Sequence, residues 1–235
     1  METVVLPDAT VIEYELIYKK VKNMTLRIRP DGTVTVTVNR RVSQNRAEEF
    51  VREHAAWLQK RRQLADTRRQ IGLPERLEQD TQVLWLGTEY RVAWNYPAAP
   101  AVELYGDLAV VSMPDPSAEF AAKVYRDWYQ AQSERVLTDA LDRVFPHFEP
   151  LGLCRPRLCL RYMTSRWGSC SYHKGKITLN RYLCQLPPAL IDVVTAHELA
   201  HFFHPDHSPA FYRLLEQVFP GYRETAAQLK EYFIL

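Results

Sequence analysis

Apolar and polar residues alternate strictly from Thr33 to Val38, with Val34, Val36 and Val38 on one face and Thr33, Thr35 and Thr37 on the other. Successive side chains of a strand point to opposite faces, so this run predicts a half-buried strand. Residues 11–18, Val-Ile-Glu-Tyr-Glu-Leu-Ile-Tyr, predict another, and Met24 to Arg29 a third, with Leu26 and Ile28 facing one way. Pro30-Asp31-Gly32 is a turn signal between the last two. The expected arrangement is a β-meander with one wet face. The period then changes. Ala47, Phe50, Val51, His54, Trp57, Leu58 and Leu64 form an apolar stripe at helical spacing. Ser43 or Asn45 can cap that helix, and Glu48 stands three residues past Asn45 as in a capping box. His54 lies on the stripe and is expected to be a packed core residue. Lys60, Arg61, Arg62, Arg68 and Arg69 occupy the opposite face, expected to be solvated.

After Gly72-Leu73-Pro74, strand patterns return at Val83–Leu86 and Tyr90–Trp94, joined through Gly87. Pro97 and Pro100 punctuate a loop, and Val102–Tyr105 with Leu108–Val111 predict a hairpin around Gly106-Asp107. Asp115-Pro116 signals a helix start, a capping residue before a proline at the first helical position. Phe120, Val124, Tyr125, Trp128, Val136, Ala140 and Val144 make the long amphipathic helix that follows. The chain is extended again from Leu158 to Tyr162. A Lys174-Gly175-Lys176 turn then separates Arg166–Cys170 from Ile177–Asn180, predicting a hairpin or adjoining strands. Pro187-Pro188 opens a helix that is apolar nearly all round from Leu190 to Phe203. Ser208-Pro209 opens another, with Phe211, Leu214, Leu215 and Val218 inward, and helix 222–233 closes the chain. No internal repeat or low-complexity tract is visible.

The nearly all-apolar helix carries the run His197-Glu198-Leu199-Ala200-His201, followed by His204, Pro205 and His207. A spacing of four brings side chains to within roughly 40° of one helical face and about 6 Å apart along the axis. His197 and His201 can therefore offer imidazole nitrogens to one small cation. Glu198 lies about 100° further round and can reach a metal-bound water without being a ligand. A catalytic zinc keeps one position open and lowers the pKa of its water to about 7, where an adjacent carboxylate can take the proton. Two histidines and a glutamate on a buried helix are costly without a partner, and a metal would satisfy all three. Pro205 disfavours helix, so the helix is expected to end near His204 and the chain to turn His207 back beneath the metal. As third ligand His207 ranks first, then Glu216, then His204, with Glu224 behind.

The fold class expected is α+β, with a β-rich subdomain over residues 1–115 carrying one amphipathic helix and a metal-binding catalytic domain over 116–235. With 235 residues, 46% of them hydrophobic, the chain can bury a real core, and a net charge of +2 says little about partners. Cys154, Cys159, Cys170 and Cys184 match no C-x-x-C zinc pattern and are expected to be reduced, buried thiols. The N-terminal Met1–Asp8 has no basic head and no long apolar core, and no apolar run is long enough to span a bilayer. A cytoplasmic location without membrane partners is the expectation that follows.

Ser165-Arg166-Trp167-Gly168-Ser169-Cys170-Ser171, then Ile177-Thr178-Leu179-Asn180, then His197-Glu198-Leu199-Ala200-His201, and His207-Ser208 with Phe211, resemble the YgjP-like zinc metallohydrolase family in order and spacing. The early strands and the Trp57 helix resemble its N-terminal half, so the likeness covers nearly the whole chain. The resemblance implies a zincin-like catalytic domain behind an N-terminal β-rich extension. It implies zinc bound by His197, His201 and His207, with Glu198 catalytic. Members are labelled metallopeptidases, and hydrolysis of nucleotide phosphoanhydrides has also been proposed for the family. His204 matches no position of the motif.

Three functions compete. In the first, a zinc metallopeptidase, zinc polarises the scissile carbonyl and its water, and Glu198 serves as general base and then acid. An extended peptide could pair along the strand near Trp167–Cys170; Arg166, His204 and Tyr212 are the candidate oxyanion donors, and Trp167 is a further candidate substrate contact. The second, a metal-dependent nucleoside triphosphate pyrophosphatase, rests on charge. No Asp or Glu occurs between Leu151 and Ile191, while Arg155, Arg157, Arg161, Arg166, Lys174, Lys176 and Arg181 do. The alternative reading is that these side chains pair with carboxylates elsewhere or splay to both faces of the strands. The third is a nucleic-acid-associated protease or binding module, suggested by the basic helix and strands. The partners are accordingly a peptide or protein, a nucleotide, or nucleic acid.

Overall fold

Four strands precede the first helix in a computed structural model that describes residues 2–6, 11–28, 33–59, 69–96 and 99–234: β1 (Glu2–Val5), β2 (Val11–Tyr18), β3 (Thr25–Ile28) and β4 (Val34–Val38). They do not form the expected meander. The sheet order is β1-β2-β4-β3, with β2 and β4 parallel and both outer pairs antiparallel. The most apolar strand takes an inner place: Val34, Val36 and Val38 are fully buried and even Thr35 is 5% exposed. β3, with Thr25 and Arg27 exposed, is left at the edge, where polar residues are tolerated. β1 is too short to have shown a pattern in the sequence. Helix α1 (Gln44–Glu53) is capped by Ser43, whose hydroxyl accepts the Arg46 N–H; Glu48 pairs with Arg52 and takes no part in a capping box. Ile12, Tyr14, Ala47, Val51 and Leu58 join the three valines in one core. His54 packs on Phe50, with Nδ1 2.8 Å from the Phe50 carbonyl oxygen, but it is only half-buried and outside the core. Trp57 of the same expected stripe is exposed, because the helix turns that end of the stripe towards solvent. The Pro30-Asp31-Gly32 turn, Lys60, Arg61, Arg62, Leu64, Arg68 and Pro97 lie outside the described residues.

After β5 (Arg69–Ile71), strands β6 (Gln82–Trp85), β7 (Thr88–Asn95), β8 (Ala101–Tyr105) and β9 (Leu108–Ser112) form a second sheet of order β6-β7-β9-β8. Its pairing pattern is that of the first sheet: antiparallel, parallel, antiparallel. Helix α2 (Ala118–Val144) follows, capped by Ser117, not by Asp115 as the sequence suggested. Ser43 stands five residues after Val38 and Ser117 five after Ser112, so the same strand-to-cap spacing recurs in both halves. A structural repeat is present where the sequence shows none.

The remaining elements hold the site. β10 (Arg157–Arg161), β11 (Gly168–Ser171) and β12 (Lys176–Asn180) make a sheet of order β10-β12-β11, adjoining strands with β12 central. Helices α3 (Pro188–Ala200), α4 (Pro209–Val218) and α5 (Tyr222–Ala227) follow. The closing helix is shorter than expected: a 3-10 turn at Gln228–Glu231 leads into β13 (Tyr232–Ile234), which pairs with β5. By spatial proximity the chain divides into residues 1–70 with 231–233, and residues 71–230. The boundary read from the sequence, 115/116, falls inside the second unit, just before α2. The architecture is α+β, β-rich first and helical towards the C-terminus. All four cysteines are free thiols, but only Cys184 is fully buried and Cys154 is exposed. Among the described residues no helix is long and apolar enough to cross a membrane.

Asn180, at the end of β12, has no exposed surface. Its Oδ1 accepts the N–H groups of Met163 and Tyr182, each at 3.2 Å, and its Nδ2 donates to the carbonyls of Met163 at 2.7 Å and Arg166 at 2.9 Å. Its backbone N–H donates to the Trp167 carbonyl at 2.8 Å. The loop leading into β11 is thus stapled by one side chain. Unmade buried hydrogen bonds cost about 1–3 kcal/mol per group, so Asn180→Ala is expected to lose at least about 2 kcal/mol of stability. Urea denaturation measures it, and an unchanged midpoint would contradict the staple.

Candidate metal centre

Pro187 and Pro188 start α3, and Leu190, Ile191, Val193, Val194, Ala196, Leu199 and Ala200 bury it. It packs against α2, β11, α4 and α5. The regular helix ends at Ala200, one residue before His201 and earlier than expected, because the chain tightens into a turn in which the Phe203 and His204 N–H groups both donate to the Ala200 carbonyl. His197 and His201 still share one side, with ring centroids 4.8 Å apart. Pro205 leads the chain away from the helix, and Ser208 caps α4 by accepting the Phe211 N–H. Between them His207 is returned to the other two.

The ligand atoms of His197, His201 and His207 all lie within 4.8 Å of one another, and the Nε2 atoms of His197 and His207 are 3.1 Å apart. Two nitrogens bound to one tetrahedral ion at about 2.05 Å are about 3.3 Å apart, so the spacing suits ligands of a single ion. The outer ring nitrogens are occupied. His197 Nδ1 is 2.8 Å from the Tyr222 hydroxyl, and His201 Nδ1 is 3.1 Å from the His204 carbonyl oxygen. Such partners fix the tautomer and leave Nε2 for a metal. Burial, helped by its two histidine neighbours, lowers the His197 pKa to about 4, and burial also lowers that of His201. Both rings are therefore neutral at neutral pH, the form a cation binds. The Phe211 ring backs all three imidazoles, 5.0, 4.7 and 5.1 Å from their centroids.

Of the third-ligand candidates, His207 is the one that converges. Among the described residues the metal-sized group contains neither His204, Glu216 nor Glu224. His204 contributes its carbonyl to His201, and Glu216 accepts the N–H groups of Gly221 and Arg223 at the turn into α5.

Glu198 is 5% exposed, and burial raises its carboxyl pKa to about 8 against the opposing pull of Arg166. β11 crosses it at Gly168. A Cβ there would lie 2.5 Å from Glu198 Oε1, so a side chain at this position cannot coexist with the carboxyl as placed. The triad and Glu198 open into a cleft of about 450 Å³, also lined by Ser165, Arg166, Ser169, Cys170, Tyr172 and Pro205. Burial and Glu198 push the Cys170 thiol up to about 12, so it stays protonated and is no competing nucleophile. Trp167, His204 and Tyr212 are not among the lining residues; Tyr212 stacks on His207 at 6.4 Å. Of the seven basic residues between 151 and 191, only Arg166 lines the cleft. Arg155 pairs with Asp142, and Arg181 with Glu134 at 3.8 Å.

Sequence reasoning assigned no role to Tyr222, Asn180 or Gly168. Tyr222 stands 25 residues beyond His197 with no spacing rule to link them. Gly168 and Asn180 were visible only as letters of a motif.

Two solved structures share part of this chain. The metallopeptidase zymogen abylysin of Pyrococcus abyssi matches 42% of this chain and 99% of its own, with 26% identity and a TM-score of 0.36. The zymogen jannalysin of Methanocaldococcus jannaschii matches 40% and 92%, with 18% identity and a TM-score of 0.35. No curated protein matches the chain significantly. The family model of the YgjP-like metallopeptidase domain matches residues 22–232. With that match spanning nearly the whole length, and the three imidazoles converging beside a buried glutamate, the chain belongs to the YgjP-like metallopeptidase domain family.

Proposed function

We propose that the protein is a zinc-dependent metallopeptidase whose catalytic elements all lie within residues 116–235. The observation that carries this reading is the convergence of three imidazole nitrogens beside a buried carboxyl at the floor of an open cleft. Three imidazoles with one side left open suit zinc, and their convergence supports its placement at His197, His201 and His207. When bound, the metal supplies a Lewis acid that polarises the scissile carbonyl and acidifies water.

Glu198, which the charge of a bound cation would hold as its carboxylate, accepts a proton from the attacking water as the water oxygen bonds to the carbonyl carbon. The carboxyl then passes that proton to the amine nitrogen as the C–N bond breaks. Burial and the Gly168 backbone hold the Glu198 side chain in one place for both transfers. β11 is an outer strand of its sheet and borders the cleft, which gives an extended peptide an edge to pair with. The pyrophosphatase reading draws less support, since Arg155 and Arg181 hold carboxylates elsewhere.

A casein digest and a nucleoside triphosphate panel on zinc-loaded protein separate the two. Peptide products without phosphate release are expected, and the opposite result would sink the peptidase. Glu198→Gln should retain zinc and lose at least about 100-fold in turnover, the scale of general acid–base catalysis. Activity surviving in that variant would exclude Glu198 from the proton transfers. Tyr222→Phe removes the partner of His197 Nδ1 and should weaken zinc binding by about 10- to 100-fold, measured by competition with a chelating dye. An unaltered affinity would make Tyr222 a packing residue only.

A further inference from the structure

We propose that Arg166 is a subsite for a peptide carboxylate, so that the cleft selects substrates with an acidic side chain or a free C-terminus beside the bond to be cut. The proposal rests on the peptidase reading and adds the substrate class to it.

Arg166 is exposed at the cleft wall, and among the described residues its guanidinium has no ion-pair or hydrogen-bond partner. Its charge acts on Glu198, which places it near the reactive centre. Its backbone is immobilised by Asn180, whose Nδ2 donates to the Arg166 carbonyl and whose N–H donates to the Trp167 carbonyl. The donor fork therefore projects from a fixed point, and a ligand need not order the loop. The rest of the lining argues the same way. Glu198 is its one carboxylate, and it holds no Leu, Ile, Val, Met or Phe. An aliphatic side chain would find only Pro205, Tyr172 and Cys170 to pack on, whereas a carboxylate would find a planar fork that it matches with two parallel hydrogen bonds. One guanidinium balances one carboxylate. A triphosphate needs several cations, and the lining offers no second Arg or Lys.

Four N-acetylated peptides of one length test this: an internal Glu with amidated C-terminus, the Gln counterpart with amidated C-terminus, the same Gln peptide with a free C-terminal carboxylate, and the Lys counterpart with amidated C-terminus. Each is titrated by calorimetry into zinc-loaded Glu198→Gln protein, which binds without turnover, and incubated with the wild type to follow cleavage. Charged hydrogen bonds are worth about 1.5–3 kcal/mol, so at least one carboxylate peptide should bind about tenfold or more tighter than the Gln amide. Which one does so distinguishes a side-chain from a C-terminal carboxylate. In the Arg166→Gln background the ratio should fall to within about twofold, and in Arg166→Glu the Lys peptide should become the best ligand. Zinc content and denaturation midpoint, unchanged because the side chain is exposed, show that these variants are folded.

Equal binding of all four peptides, a ratio that survives in Arg166→Gln, or no binding at all overturns the subsite. So does ATP binding that depends on Arg166 when peptide binding does not. Cleavage without the ratio removes the subsite and keeps the peptidase; the ratio without cleavage keeps the subsite and removes the peptidase.

Discussion

A carboxyl and imidazoles set into a buried helix are the constraint around which the second unit is built. α3 is apolar on nearly every other position, so Glu198 loses most of its hydration and its carboxyl is pushed to about 8. Removing an ionisable side chain from water is unfavourable unless something answers its charge. A divalent cation beside it would do so, and the converging ring nitrogens of His197, His201 and His207 mark where that cation would sit. The surroundings are disposed to keep this arrangement single-valued. Phe211 backs the rings, Tyr222 and the His204 carbonyl fix two of their orientations, and Gly168 lets β11 pass directly over the glutamate.

How much of this the sequence disclosed depends on range. Where a feature is set by neighbours in the chain it was mostly legible, although the α2 cap fell on Ser117 and not Asp115 and Glu48 pairs with Arg52 outside any capping box. The spacing of His197 and His201 and the proline at Pro205 were enough to rank His207 first among the third-ligand candidates, and it joins the pair. The valine alternation at 34–38 and the Gly106-Asp107 hairpin were equally local. Strand order was not. The meander fails because a strand's place depends on what packs on both its edges, and no period within β4 reports that its neighbours are β2 and β3. Tyr222 was hidden for the same reason: its partner is remote and its letter is ordinary. The last helix was overextended because Tyr232–Ile234 has a strand partner far away in the chain, at β5.

The repeated sheet topology carries a related lesson. Both four-stranded sheets place the fourth strand between the second and third, then cap a helix with a serine at the same distance. The residues differ almost throughout, yet in each sheet an inner strand is among the most deeply buried: Val34, Val36 and Val38 in one, Ala109 and Val111 in the other. A shared burial pattern constrains topology more than shared identity does, since any apolar residue of suitable size fills an inner strand. Repeats of this kind escape a search for matching letters.

Charge shows the same limit from the opposite side. The stretch from 151 to 191 has basic residues and no acids, and read as a line it suggests a positive site. In three dimensions its members separate. Arg155 turns to Asp142 and also lies 5.7 Å from the Phe145 ring, while Arg181 reaches Glu134, the Gln130 carbonyl and Ser133. The carboxylates they meet lie on α2, outside the stretch, so the missing acids are supplied by another element. What is left at the cleft is one guanidinium. A linear excess of charge becomes a field at a site only where an unpartnered cation also faces that site, and of the members without a partner among the described residues Arg166 is the one at the cleft. A single fork beside a buried carboxyl discriminates by pairing with one anion, whereas a broad basic surface attracts many, so the local arrangement favours selection over capture.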